Sequence, residues 1–320
     1  MTKLKTWLSG LLALQLVLAG SLLAFNYQRD HSGDVANLFD NESIAVDRMQ
    51  ISDGEHNITL SKSGDDKWIL PEQDKLPATT SKITSTIDSM ADIQFVWPVS
   101  TSSSAHQRFE VESDNFQREV KLFDGDELVT HVYIGTSPGF RKVHLRRADD
   151  SDVYAVALNS FDFPVVLDEW LDKALFNVAD ASVIKGPDFT VNKVNDNWQL
   201  EDEADTATLE ADKVQQLASA FSNFRVQDIA ESAPENEPIV FNVTAAGSEW
   251  QYSFYQVDDN YYVQRQDIDK VFTLSKYDFE RIANVNREAI TVAPETTEET
   301  NATAEGEDAT ESTGSPNPEQ

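Results

Sequence analysis

Gly135-Thr136-Ser137-Pro138-Gly139 has the G-x-S-x-G spacing that sets a nucleophilic serine on a strand-to-helix elbow. The elbow needs the backbone N–H after the serine to bind an oxyanion, and Pro138 has none. Phe140 to Arg147 then alternate like a strand, so a hairpin loop is expected here and a hydrolase is not. The histidines are His31, His56, His106, His131 and His144, with no H-x-H or H-x-x-x-H pair. His131 and His144 fall on neighbouring predicted strands and could approach each other, but no third ligand accompanies them. Asp149-Asp150-Ser151-Asp152 and Asp258-Asp259-Asn260 are rich in oxygen. They lack the central Gly and distal Glu of a calcium loop, and Asp and Asn in turns bond their own backbone. Cysteine is absent, which excludes disulfides, thiol catalysis, Cys-ligated zinc and iron–sulfur clusters. No catalytic residue, metal site or cofactor is expected, and the chain reads as a non-enzyme.

One basic cluster stands out against the acidity. The 320 residues hold 25 Lys and Arg against 56 Asp and Glu, a net charge of −31, so nucleic acid is not an expected partner. Arg141, Lys142, His144, Arg146 and Arg147 crowd one predicted strand. Period-two alternation puts Lys142, His144 and Arg146 on one face, with Arg141 and Arg147 opposite. Lys142, His144 and Arg146 are therefore expected to be exposed and to contact a partner: an acidic protein, an anionic glycan or a lipid headgroup. The bland alternative is pairing with the abundant Asp and Glu. Arg147 fits that alternative, because Arg265 recurs at the matching place later in the chain; the expected pairs are Arg147 with Asp149 and Arg265 with Asp267.

The elements that would carry these residues divide the chain into five parts. Residues 1–29 start with Lys3 and Lys5 and run from Trp7 to Phe25 without a charge. Nineteen residues as a helix span about 28 Å, close to the ~30 Å hydrocarbon core of a bilayer. Trp7, Phe25 and Tyr27 sit where interfacial aromatics belong, and the lysines favour a cytoplasmic N-terminus. A single-pass membrane anchor over 7–25 is expected, with the rest outside the cytoplasm. The alternative is a signal peptide cut near Ala19-Gly20-Ser21, but the apolar run is longer than such peptides carry. A linker covers 30–43. Residues 291–320 hold mostly Thr, Glu, Ala and Pro, with nothing to offset the entropy of ordering, so a disordered acidic tail is expected. Asn41, Asn57, Asn242 and Asn301 head formal glycosylation sequons, which matter only in a eukaryotic source.

Between linker and tail the sequence repeats. ITLSKSGDDKWIL at 58–70 matches FTVNKVNDNWQL at 189–200, aligning Trp68 with Trp198. RADDSDVYAV at 147–156 matches RQDIDKVFTL at 265–274 without a gap, aligning Arg147 with Arg265 and Asp149 with Asp267. Each half, 44–182 and 183–290, reads as a hairpin, a helix, four strands in an antiparallel meander, and a C-terminal helix over 166–176 or 277–284. Ile83, Ile87 and Met90, and Val214, Leu217 and Phe221, mark the first helices. The expected fold class is α+β: two tandem similar units behind a transmembrane helix, with Trp68 and Trp198 buried in equivalent places.

The element order, with Ile134-Gly135, Val143-His144-Leu145-Arg146 and Asp152-Val153-Tyr154-Ala155-Val156, resembles the DUF4340 family. The resemblance covers about residues 1–290. It implies a single-pass envelope protein with a repeated α+β extracytoplasmic region, associated with ABC-type transport systems of the gliding-motility kind, and it supplies no catalytic residues. The expected function is a membrane-anchored accessory or scaffold of such a system in a bacterial inner membrane, with an ABC-type permease among the expected partners. The alternative is a binding module for a glycan or small molecule, using the cleft between the two repeats.

Overall fold

Met49, Ile51, Ile58 and Leu60 alternate with polar neighbours, and all four are buried, so their strands present one apolar face. The computed structural model describes residues 15, 21, 36–39, 45–139, 141–201 and 208–292. In the first unit, β1 (Ala36–Asn37) precedes the hairpin of β2 (Arg48–Ser52) and β3 (Asn57–Lys62), which continues through β4 (Trp68–Leu70) and β5 (Leu76–Pro77). Helix α1 (Thr80–Ala91) adds Ile83 and Met90 to the same core. Then come β6 (Gln94–Phe95), β7 (Pro98–Ser100), the one-turn helix α2 (His106–Phe109), and a small hairpin of β8 (Val111–Glu112) and β9 (Asn115–Phe116). Four longer strands close the unit: β10 (Arg118–Asp124), β11 (Glu127–Ile134), β12 (Val143–Arg147) and β13 (Val153–Val156). The sheet order is β5-β4-β3-β2-β10-β11-β12-β13-β7, antiparallel at every pairing.

The second unit repeats this plan. β14 (Val183–Lys185), β15 (Thr190–Val194) and β16 (Asn197–Leu200) lead past β17 (Thr208–Leu209) into α3 (Ala211–Asn223) and β18 (Val226–Ile229). β19 (Ile239–Ala245), β20 (Ser248–Val257), β21 (Asn260–Arg265) and β22 (Val271–Leu274) follow, then α4 (Lys276–Ala283), α5 (Arg287–Ile290) and β23 (Thr291–Val292). The order β16-β15-β14-β19-β20-β21-β22-β18 matches the first sheet strand for strand, with β5 the extra edge. Trp68 pairs with Lys62 and Trp198 with Lys193, and both indoles are buried.

The sequence expectation omits β2 and β14. Each pairs with a strand on the far side of the following helix, β10 or β19, and so joins the opening hairpin to the expected four-strand meander, β10 to β13 or β19 to β22, which stands. Those pairings join residues 67–75 apart in the first unit and 57–61 apart in the second, separations no local pattern reveals. The helix expected over 166–176 is also corrected. Leu167–Glu169 forms a short 3-10 helix and 173–176 a turn, while much of the remaining backbone bonds outward to other elements. Thr79 N–H donates to Trp170 O and Asp172 N–H to Pro77 O in the first unit; Val226 N–H donates to Lys173 O and Val178 N–H to Phe221 O in the second. The linker is corrected in part: Ala36–Asn37 pair with Gln94–Phe95, and Leu38 is buried. So is the start of the tail, where Thr291–Val292 pair with β17. The expected anchor falls outside the described residues except Gln15 and Ser21, and the rest of the tail falls outside them too. Among the described residues no helix is long and apolar enough to cross a membrane.

Residues 163–178 thus form a strap that packs against both units within one continuous core. Trp170 is buried, gives its indole N–H to Pro164 O and lies under the Lys82 ammonium. Phe176 meets Tyr252 and Phe272 edge-on, and its carbonyl accepts the Tyr252 hydroxyl at 2.7 Å. Burial pushes the Tyr252 phenol up to about 12, so it stays a donor. The Arg265 guanidinium lies 4.9 Å from the Phe176 ring and holds Asp267 through two bonds of 2.6 and 2.8 Å. Arg147 makes the expected contact as well, reaching Asp149 at 3.3 Å. If Phe176 is the strap's anchor, Phe176→Ala should cost about 3–5 kcal/mol in urea denaturation. The exposed control Val194→Ala should stay within about 0.5 kcal/mol; equal effects would show that the strap holds nothing.

Candidate functional site

The face of the first sheet opposite α1 carries polar side chains in two cross-strand rows. One runs Asn57, Ser52, Glu119, Tyr133, Arg146; the next runs Thr59, Gln50, Lys121, His131. Glu119 Oε1 accepts the Lys121 ammonium at 2.9 Å and His131 Nε2 at 2.7 Å. Burial pushes the Glu119 carboxyl up, but hydrogen bonds and charge from Lys121 and His131 outweigh it and hold the group below the usual carboxylate range. Tyr133 is pushed up by burial and by the Glu119 charge. Beside this set, Gln50, Ser52, Asn57, Thr59, Glu72, Glu119 and Lys121 line a concavity of about 360 Å³. The floor is amide, hydroxyl and charge, suited to polar contacts.

The Arg146 end of the first row is roofed. Residues 103–116, with α2, β8 and β9, fold over it as a flap, and Val111, Tyr133 and Val153 make a small core beneath with Phe109 and Phe116. Arg146 Nε donates to Val111 O at 2.7 Å, and its Nη1 reaches Arg147 O and Asp150 O at 3.0 Å. The guanidinium lies 4.9 Å from the Tyr133 ring. The His144 ring lies tilted against Phe109 with centroids 4.2 Å apart, and its Nδ1 shares a 2.9 Å hydrogen bond with the Thr136 hydroxyl. Burial pushes the His144 imidazole down, favouring the neutral ring. Gly135 is needed where the flap crosses: a Cβ there would meet Phe109 O at 2.0 Å. His106 pins the flap's other end, its Nε2 2.7 Å from Ser151 O.

The expectation that Lys142, His144 and Arg146 form an exposed partner surface is therefore corrected. Lys142 is exposed, but His144 and Arg146 are 8% and 5% exposed. Alternation does put the two on one side; the flap then covers that side, and pairing periodicity cannot foresee a lid. His131 and His144 sit four register positions apart, about 13 Å at ~3.3 Å per residue, each committed to its own partner. Among the described residues no cluster of His, Asp and Glu could hold a metal. Ser137 Oγ lies 2.7 Å from both Gly139 O and Lys142 O, a turn-closing role. Asp150 Oδ1 accepts the backbone N–H groups of Ser151 and Asp152, as an Asx turn does.

A family model described as a domain of unknown function, DUF4340, matches residues 68–242, more than half of the chain. The chain belongs to the DUF4340 family. No curated protein and no solved structure matches it. In this DUF4340 chain the matched stretch takes in the flap and the strands β10 to β12 that carry Glu119, Lys121, His131 and Arg146.

The duplication provides an internal control. Met49 pairs with Leu60 and Leu122, and Ile184 pairs with Val191 and Val243, which puts the sheets in one frame. In that frame Arg147 and Arg265 coincide, each opposite a buried β11 or β20 residue. Glu119, Lys121, His131, Tyr133 and Arg146 correspond to Val240, Asn242, Gln251, Ser253 and Gln264. The flap corresponds to the short link 230–238. At those five positions the second unit carries no charged side chain, so the fold does not require ions there, although Lys185 stands on the same face opposite Thr190.

Two outcomes follow. The depressed Glu119 carboxyl contributes stability that is full above its unfolded value and is lost as pH falls through its folded value. The stability gap between wild type and Glu119→Gln in urea should therefore be widest above about pH 4.5 and close below it; a gap independent of pH would refute the ion network. Arg146→Gln leaves buried carbonyls unpaired and should cost about 1–3 kcal/mol, exposing 103–116 to protease. Lys142→Glu should stay within about 0.5 kcal/mol, and equal protease sensitivity in the two variants would contradict the flap assignment.

Proposed function

We propose that this DUF4340 chain is a non-enzymatic accessory or scaffold protein of an ABC-type transport or export system. It is anchored in a bacterial inner membrane through residues 7–25 and works in the periplasm. The observation that carries this reading is the ionic row of Glu119, Lys121 and His131 on the first sheet alone, next to a shallow polar concavity. A surface that the repeat can do without, and that the first unit nevertheless keeps solvent-accessible, suits docking to another protein. Lys121 and Glu119 offer both signs of charge to a partner, which favours orientation and register over raw affinity. The Lys3/Lys5 flank and the uncharged run from Trp7 support an N-in anchor.

Purification of the full chain from solubilised membranes tests the reading. Wild type should bring down a multi-span permease with its ATPase, and the Glu119→Lys/Lys121→Glu pair should lose them while keeping its own yield. Recovery of carbohydrate-processing enzymes instead, or unchanged recovery by the double variant, would overturn it. A reporter fused after Gln320 should be active only if it functions in the periplasm.

A further inference from the structure

Val96, Trp97 and Val99 are exposed at 53%, 62% and 46%, three large apolar side chains within four positions at the β7 edge of the first sheet. They lie in a stretch, Gln94 to Ala105, without a single Asp, Glu, Lys or Arg, in a chain that is 25% charged. A fourth exposed apolar side chain follows the neighbouring strand β13. Ser100 pairs with Val153 and Pro98 with Tyr154, so Val96 and Trp97 lie toward the end of β13 from which the loop to Phe161 departs, and Phe161 is 84% exposed.

The same corner is where the chain arrives from its N-terminal segment. Ala36 pairs with Phe95, the residue next to Val96, and Leu38 N–H donates to Ile93 O. Tyr27, at the outer end of the apolar run, stands nine residues before Ala36. Nine residues reach at most about 30 Å, at ~3.3–3.6 Å each. If 7–25 sits in a bilayer, this corner cannot leave the neighbourhood of the membrane surface.

We propose that the Val96–Trp97–Val99 edge, with Phe161, rests on the lipid surface and fixes the orientation of the first unit on the membrane. A tryptophan at the headgroup level places its ring apolar side down with its N–H still wet. The absence of acidic groups from Gln94 to Ala105 matters, since elsewhere the chain's negative charge is repelled by anionic lipid. This inference rests on the membrane-anchor reading above.

The chain has no cysteine, so single labels can be placed cleanly. Full-length protein carrying an environment-sensitive fluorophore at Trp97→Cys, Val257→Cys or Ala13→Cys is reconstituted in phosphatidylethanolamine–phosphatidylglycerol vesicles, with and without spin-labelled lipid. The label at 97 should be quenched by the lipid probe severalfold more than the one at 257, in the second unit. The label at 13 reports on the anchor. Quenching at 13 with none at 97 overturns the lipid-contact proposal and leaves the anchor standing. No quenching at 13 overturns the anchor; the surface contact then survives only if 97 is quenched, and fails with it if 97 is not.

Discussion

The first unit is organised around a guanidinium under a lid. Arg146 takes a charge out of water and satisfies it with the carbonyls of Val111, Arg147 and Asp150 and the face of Tyr133. Leaving such a group unpaired would be costly, so its position dictates others. Val111 must come over the sheet, which brings the flap down; Gly135 must lack a side chain where the flap crosses; His144 must be small and neutral enough to lie under Phe109. Tyr133, held beneath Arg146, ends the roofed half of the face. Glu119 begins the open half, and its partners Lys121 and His131 complete a set that is fixed in place yet reachable by solvent.

The second unit shows the fold without that constraint. Gln264 stands where Arg146 does, the flap shrinks to a link, and the ionic row becomes Val240, Asn242 and Gln251. What both units keep is mechanical: the buried tryptophan of the hairpin, and an arginine that pairs with the Asp two residues on. In the second unit that arginine also closes over Phe176, so the repeat's own clasp holds the strap from its neighbour. The two units share a scaffold, and the first carries the distinctive chemistry.

Local order was legible in the residues, and long-range order was not. Trp68 and Trp198, the helices around Ile83 and Leu217, and the Arg147 and Arg265 matches follow from period and repetition. β2 escaped because its partner β10 lies across a helix and two short insertions. The strap at 163–178 escaped because Leu167, Trp170, Leu171 and Leu175 imitate helical spacing while packing into the core that both units share. The site was misread for a related reason: the Lys142–Arg146 run is conspicuous by composition, but exposure is decided by the flap, which contacts it from 35 residues away. Glu119, Lys121 and His131 look ordinary along the chain and become a group only when β10 and β11 pair.

We propose that the first unit's open face meets a membrane partner and that the second unit's equivalent face does not. Thr59 and Thr190 occupy the same place in the two sheets, opposite Gln50 and Lys185. A photocrosslinking residue at each, irradiated in intact membranes, compares the faces directly. A discrete adduct with a multi-span permease is expected from position 59 and none from position 190. Equal adducts from both, or an adduct from 190 alone, would contradict it.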